Sequence, residues 1–193
     1  MKILAFAATS SSKSINRELV RYTVKQISNQ YDGTEIEILD INDFELPLFS
    51  EDKEAEMGQP ELAKVFIEKI ASSDVLIISF AEHNGSYTVA YKNIFDWASR
   101  VNPKVFQNKP MIMLATSPGP GGAASVLASA TASAPYFDGD VKASLSIPNF
   151  YDNFDSEQGR IVNNDLNEQL VEAINSLYES SAENLQHDLQ QVS

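Results

Sequence analysis

Residues 74–97 read DVLIISFAEHNGSYTVAYKNIFDW. Asp74–Ser79 is a near-continuous apolar run, the signature of a strand covered on both faces. The chain then turns polar over Ala81–Ser86 (AEHNGS). It resumes with helical spacing over Thr88–Val101. A buried strand, a short turn and a helix form the repeating unit of a parallel sheet.

The same alternation runs outward in both directions. Lys2–Ala7 (KILAFA), Thr34–Asp40 (TEIEILD), Lys109–Ala115 (KPMIMLA) and Val141–Ile147 read as further strands. In TEIEILD, Ile36 and Ile38 alternate with Glu35 and Glu37, as in a strand with one wet face. Helices are expected over Asn16–Ser28, Pro60–Ser72, Gly122–Ser133 and Asp165–Glu179, with Pro60 at a first helical position. The resulting order, βαβαβαβαβα, specifies an α/β fold: a doubly wound five-stranded parallel sheet with helices on both faces.

The 193 residues suit one domain, expected over residues 1–179, with residues 180–193 as a polar tail forming a frayed helix. The chain has no cysteine, which removes disulfides, thiol nucleophiles and thiolate metal sites. It also fits a reducing compartment. The opening MKILAFAATSSS is too short for a signal-peptide core or a membrane span, so a cytoplasmic protein is expected. A net charge of −13 argues against a general nucleic-acid or anionic-membrane surface and reads as a solubility feature.

Ligands of such sheets bind beyond the carboxyl ends of the strands. Three turns leave those ends, and the sheet brings them to one edge. The first, Ala8–Asn16, offers hydroxyls from Thr9, Ser10, Ser11, Ser12 and Ser14 and an amide from Asn16, and leads into a helix, whose first N–H groups attract phosphate. Ser14 reads equally as a plain helix cap. In the second, Ala81–Ser86, Asn84 and His83 can bond along a planar ring edge, and Gly85 can approach a ligand or take positive φ. His83 reads as solvent-facing or ring-packing rather than as a catalytic base. With His187 in the tail, no metal cluster forms from these two histidines. The third turn, Thr116–Gly122, is stiffened by Pro118 and Pro120, and exposes backbone N–H groups to a flat ligand or serves as a close-packing connector.

These motifs resemble the NADPH-dependent FMN reductase family, within the flavodoxin-like fold, which includes quinone, azo-dye and chromate reductases. The resemblance extends to about Leu177. The family's first loop reads G-S-L-R-x-x-S-x-N, against Ala8–Asn16 (ATSSSKSIN) here. Its second reads P-E-Y-N-x-S followed by K-N-x-x-D-W, against AEHNGS and Lys92–Trp97 (KNIFDW). Its S-P-G-x-x-G-G loop corresponds to SPGPGG from Ser117, and Leu46–Asp52 (LPLFSED) matches its linker. The family's Arg falls on Ser11, its Pro on Ala81 and its Tyr on His83, leaving Lys13 or Arg17 as substitute cations.

The resemblance implies FMN as cofactor and NAD(P)H as reductant. Thr9, Ser11, Ser14, Ile15 and Asn16 then form the phosphate cradle. Glu82, His83, Asn84 and Gly85 lie along the isoalloxazine and ribityl chain. Ser117, Gly119 and Gly121 stand at the pyrimidine side. No protein side chain is assigned as catalytic and no metal is expected, because the flavin carries the chemistry. The implied activity passes hydride from NAD(P)H through FMN to a quinone, flavin, azo compound or similar small-molecule acceptor. Two other readings share the motifs: a non-enzymatic flavodoxin-like electron carrier, and a relative that has lost FMN and acts as a binding module. The family implies a homodimer or homotetramer. Phe44, Leu46, Leu48, Phe49 and Phe106 are candidates for that contact or for the core. Lys92 and Asp96 read as an intrahelical pair, and Trp97 as packing.

Overall fold

Val75–Phe80 is buried at every position and forms the centre of a five-stranded parallel sheet. The strands are β1 (Lys2–Ala8), β2 (Glu35–Leu39), β3 (Val75–Phe80), β4 (Lys109–Thr116) and β5 (Gly139–Ile147). Their order is β2-β1-β3-β4-β5, all parallel. The helices are α1 (Ile15–Gln30), α2 (Glu51–Met57), α3 (Glu61–Ala71), α4 (Val89–Val101), α5 (Ala124–Ser133), α6 (Phe150–Asn153) and α7 (Asn164–Gln191). This computed structural model describes residues 1–191, with side chains described through Tyr178. The expected fraying over residues 180–193, and His187, fall on side chains and a terminus outside that description.

The strand pleat sorts the core into two layers. Ile3, Ala5, Val75, Ile77, Ile112 and Leu114 face α1 and α7. Leu4, Phe6, Leu76, Ile78, Met111 and Met113 face α3, α4 and α5. Each layer is the seam where a helix stripe meets the sheet, which is why residues 3–8, 75–80 and 111–116 of these strands carry no charge. The doubly wound architecture expected from the apolar runs is therefore present.

Several local expectations are corrected. Pro60 caps α3 and does not occupy its first turn. The tidy wet face of β2 does not form, because β2 is an edge strand. Ile38 is 43% exposed there, while Glu37 is engaged by Lys69 of α3. Helix α2 lies in what read as a linker. Ser50 caps it by accepting from Lys53 N at 3.1 Å, and three acidic residues sit in its first turn. Phe44 and Phe106 are core residues, at 6% and 4% exposure, whereas Leu48 is 71% exposed.

The KNIFDW segment explains how the preceding linker is held. Asn93 donates to Leu46 O and Pro47 O and accepts from Phe49 N at 2.9 Å. Trp97, fully buried, donates Nε1–H to Pro47 O at 2.7 Å and packs edge-on against Phe49. Lys92 and Asp96 pair along the helix at 2.6 Å.

The turn after β4 carries one strict packing constraint. Gly122 has φ +58, and a Cβ there would sit 2.2 Å from Ser146 Oγ and 3.1 Å from Pro148 N. Ser146 Oγ itself donates to Gly122 O at 2.8 Å. Gly119 and Gly121 have open space around the same position. Gly122→Ala should therefore cost about 2–3 kcal/mol in urea unfolding, against under about 1 kcal/mol for Gly121→Ala. Equal costs would refute the packing account.

Candidate functional site

The sheet brings the three polar turns to one edge. There Ala8, Phe80 and Ala115 lie in register at the ends of β1, β3 and β4. Between the turns opens a cleft of about 230 Å³. Thr9, Ser11, Ser14, Ile15 and Asn16 line it from the first loop, Glu82 and His83 from the second, and Ser117 from the third. Asn84, Gly85, Gly119 and Gly121 are not among its lining residues.

The first loop is organised by Asn16, in the first turn of α1 and 2% exposed. Its Oδ1 accepts from Ser79 Oγ at 2.8 Å and from Thr116 N at 3.1 Å, and its Nδ2 donates to Thr116 O at 3.2 Å. One amide thus joins α1 to β3 and β4. It also answers why a hydroxyl ends the apolar run of β3: Ser79 is fully buried and has Asn16 as its acceptor. The Asn16 side chain is spent on this clamp, so its contribution to a ligand is its backbone N–H.

Ser14 occupies the cap position, but its hydroxyl makes no capping bond. Arg17 N and Glu18 N donate to Ser14 O, and the preceding N–H groups, of Ile15 and Asn16, have no carbonyl within the helix to reach. A hydroxyl and two N–H groups are therefore free at the positive end of a 16-residue helix. Thr9, 2% exposed, accepts from Ser11 N at 3.2 Å, which fixes the loop's curvature.

The two candidate cations separate cleanly. Lys13 lines the cleft. Arg17 instead donates to Asp40 Oδ1 at 2.8 Å, away from it. Burial opposes the Asp40 charge, but the Asn42 N–H and Arg17 outweigh it and hold the carboxyl below its ordinary range. A carboxyl depressed by folding stabilises the protein above its unfolded pKa and loses that contribution as pH falls through the folded value. Asp40→Asn should accordingly flatten the acid limb of the stability–pH curve below about pH 4. An unchanged acid limb in thermal melts would contradict this.

The second turn is a hairpin, pairing Glu82 with Tyr87 and His83 with Ser86. Asn84 and Gly85 take φ +52 and +76, the conformation of a two-residue hairpin turn in which both central residues are left-handed. They form the reversal of this hairpin. Glu82 accepts from Val126 N at 2.9 Å and so caps the first turn of α5 while lining the cleft. His83 is exposed at the cleft wall.

The third loop is tied to the start of α6. Asn149 N donates to Gly119 O at 3.0 Å, and Phe150 N to Ser117 O at 3.1 Å. This places α6 beside the cleft and brings in Tyr151, 69% exposed, a lining residue that sequence reasoning missed. Ala123, the residue after SPGPGG, has φ +61. Counted from Ser117, the seven-residue pattern ends here and not at Gly122, so alanine stands at its final glycine, on a left-handed backbone that favours glycine.

Asn16→Ala would leave Ser79 Oγ and the Thr116 N–H buried without partners. We expect a loss of about 3 kcal/mol in chemical denaturation. Asn16→Asp retains the acceptor but faces Thr116 O with a carboxylate, and should also be destabilised. Wild-type stability in both variants would refute the clamp.

Known proteins share both this sequence pattern and this architecture. A family description, NADPH-dependent FMN reductase, matches residues 1–150. A NADPH:quinone oxidoreductase of Arabidopsis thaliana is 30% identical over 125 residues, 65% of this chain and 62% of that protein. A NAD(P)H-dependent FMN reductase of Pseudomonas aeruginosa is 32% identical over 124 residues, 64% of each. The matched region thus spans less than two thirds of those relatives' lengths. Among solved structures, FerB, a flavoenzyme NAD(P)H:(acceptor) oxidoreductase from Paracoccus denitrificans, superposes with a TM-score of 0.67. That match covers 91% of this chain and 94% of FerB at 22% identity, which establishes the flavodoxin-like fold. With the family match extending over all three turns that line the cleft, the chain belongs to the NADPH-dependent FMN reductase family.

Proposed function

We propose that this chain is an FMN-dependent NAD(P)H oxidoreductase that passes hydride from NAD(P)H to a quinone, flavin, azo compound or similar acceptor. The observation that carries the reading is the unspent Ser14 hydroxyl beside the free N–H groups of Ile15 and Asn16, all facing one cleft. Phosphate is the group such a set recognises. Residues 1–179 would act as one FMN-binding domain.

The donor set fits FMN. Ser14, Ile15 and Asn16 would hold the phosphate, and Lys13 would add the positive charge that Ser11 does not. Ser117 and the hairpin bearing Glu82 and His83 would flank the remainder. FMN, when bound, supplies the hydride acceptor and donor chemistry. The chain's part is to hold and orient it and to leave one face open to nicotinamide and acceptor in turn. Glu82 holds α5 against this wall through Val126 N, so it acts as a positioning residue.

Among the described residues no helix is long and apolar enough to cross a membrane. The cytoplasmic reading rests on this and on the absence of cysteine. A homodimer or homotetramer is supported by exposed Leu48, Met57 and Leu62, at 71%, 50% and 37% exposure.

The purified chain, incubated with FMN and desalted, should retain flavin absorbance and oxidise NADPH or NADH when 1,4-benzoquinone is present. Rates no higher than those of free FMN would overturn the proposal. Retained flavin without NAD(P)H oxidation would favour an electron carrier. Lys13→Ala should weaken FMN binding about fivefold, roughly 1 kcal/mol for an exposed charge, and leave riboflavin binding unchanged. Arg17→Ala should spare both. Equal effects of the two substitutions would refute the assignment of Lys13.

A further inference from the structure

A second cavity lies behind the hairpin, between α4 and α5, and shares no lining residue with the cleft. Its volume is about 200 Å³, and its walls are largely aromatic: Phe80, Tyr87, Tyr91, Phe95 and Phe106. Phe80 and Tyr91 meet edge-on with centroids 5.4 Å apart, and Tyr87 stands 5.6 Å from Tyr91. Half-exposed Lys92, paired with Asp96, also lines it.

Tyr91 makes this cavity more than a packing gap. The residue is 3% exposed and lines the cavity, and its hydroxyl makes no hydrogen bond to a described residue and opens onto the cavity. A phenol O–H that opens onto a cavity without a protein partner is a donor available to a molecule in that space. Burial, with the nearby Tyr87 phenol, pushes the Tyr91 pKa far above its ordinary value, so the group stays a protonated donor. Close by, Tyr87 Oη and Ser133 Oγ lie 3.4 Å apart. The cavity therefore has aromatic walls and a polar end, the composition of small-molecule sites.

We propose that this cavity is a binding site for a planar aromatic ligand bearing a carbonyl, separate from the cofactor cleft, with Tyr91 Oη donating to the ligand's oxygen. The aromatic walls take the ring by offset and edge-on contacts. The space suits a one- or two-ring molecule. The proposal does not rest on the FMN reading, because none of its residues lines the cleft.

The probe is 1-tetralone, a bicyclic aryl ketone, titrated calorimetrically into the FMN-saturated chain without NAD(P)H. Saturable binding is expected. Tyr91→Phe, which keeps the ring, should weaken it about fivefold. Ser133→Leu, which fills the polar end, should weaken it at least as much. Both variants should keep wild-type melting temperatures and FMN affinity. Absence of saturable binding to the wild type overturns the proposal, as does wild-type affinity in both variants. So does competition of tetralone with FMN in the unsaturated protein, which would place the ligand in the cleft. Conversion of an oligomer to monomers by Ser133→Leu, read by light scattering, would overturn it too and reassign the cavity to a subunit contact.

Discussion

The carboxyl edge of this sheet depends on one buried amide. Asn16 joins the first turn of α1 to the hydroxyl of Ser79 on β3 and to both backbone groups of Thr116 on β4. These three groups lie where two parallel strands end, and a strand end has no further ladder to satisfy its polar atoms. By satisfying them from the helix, Asn16 sets where α1 begins relative to the sheet. It thereby sets where the free N–H groups of that helix point.

Other side chains repeat the device on neighbouring strands. Thr88 Oγ1 donates to Ala8 O at 2.9 Å and accepts from Tyr91 N, tying the start of α4 to the end of β1. Thr116 Oγ1 donates to Ile147 O at 2.7 Å, tying β4 to β5. Glu82 ties the hairpin to α5. The edge is thus rigid through short buried hydrogen bonds, while Ser14 alone among these caps keeps its hydroxyl unspent. A preorganised anion site requires rigid surroundings with a few free donors.

The strands were legible because burial on both faces leaves nothing but apolar residues over runs such as VLII, and the helices because their stripes recur at helical spacing. From that order came the topology and the convergence of the turns. Within the turns, residue type alone was a poor guide to role. Asn84 and Gly85 read as ligand contacts, and their positive φ also makes them the turn of a hairpin, a signal that the Asn-Gly pair itself carries. Asn16 read as a phosphate ligand; its side-chain amide forms the clamp, which leaves its backbone N–H for that role. Gly119 and Gly121 read as the functional glycines, yet Gly122 is the one a side chain cannot replace. Such distinctions depend on which atom is already bonded, a property of the tertiary arrangement. Tyr151, and the phenol of Tyr91 facing the aromatic cavity, belong to the same class: each comes from an element distant in sequence from its neighbours in space.

The central claim is that the amides opening α1 are a phosphate site held in place by Asn16. Backbone amide shifts recorded with FMN and with riboflavin test it most directly. The account predicts that Ile15 and Asn16 N–H resonances move with FMN and far less with riboflavin, which lacks the phosphate, while the amides of α4 and α5 around the aromatic cavity stay in place with both. Equal shifts of Ile15 and Asn16 with the two flavins, or none with FMN, would contradict it.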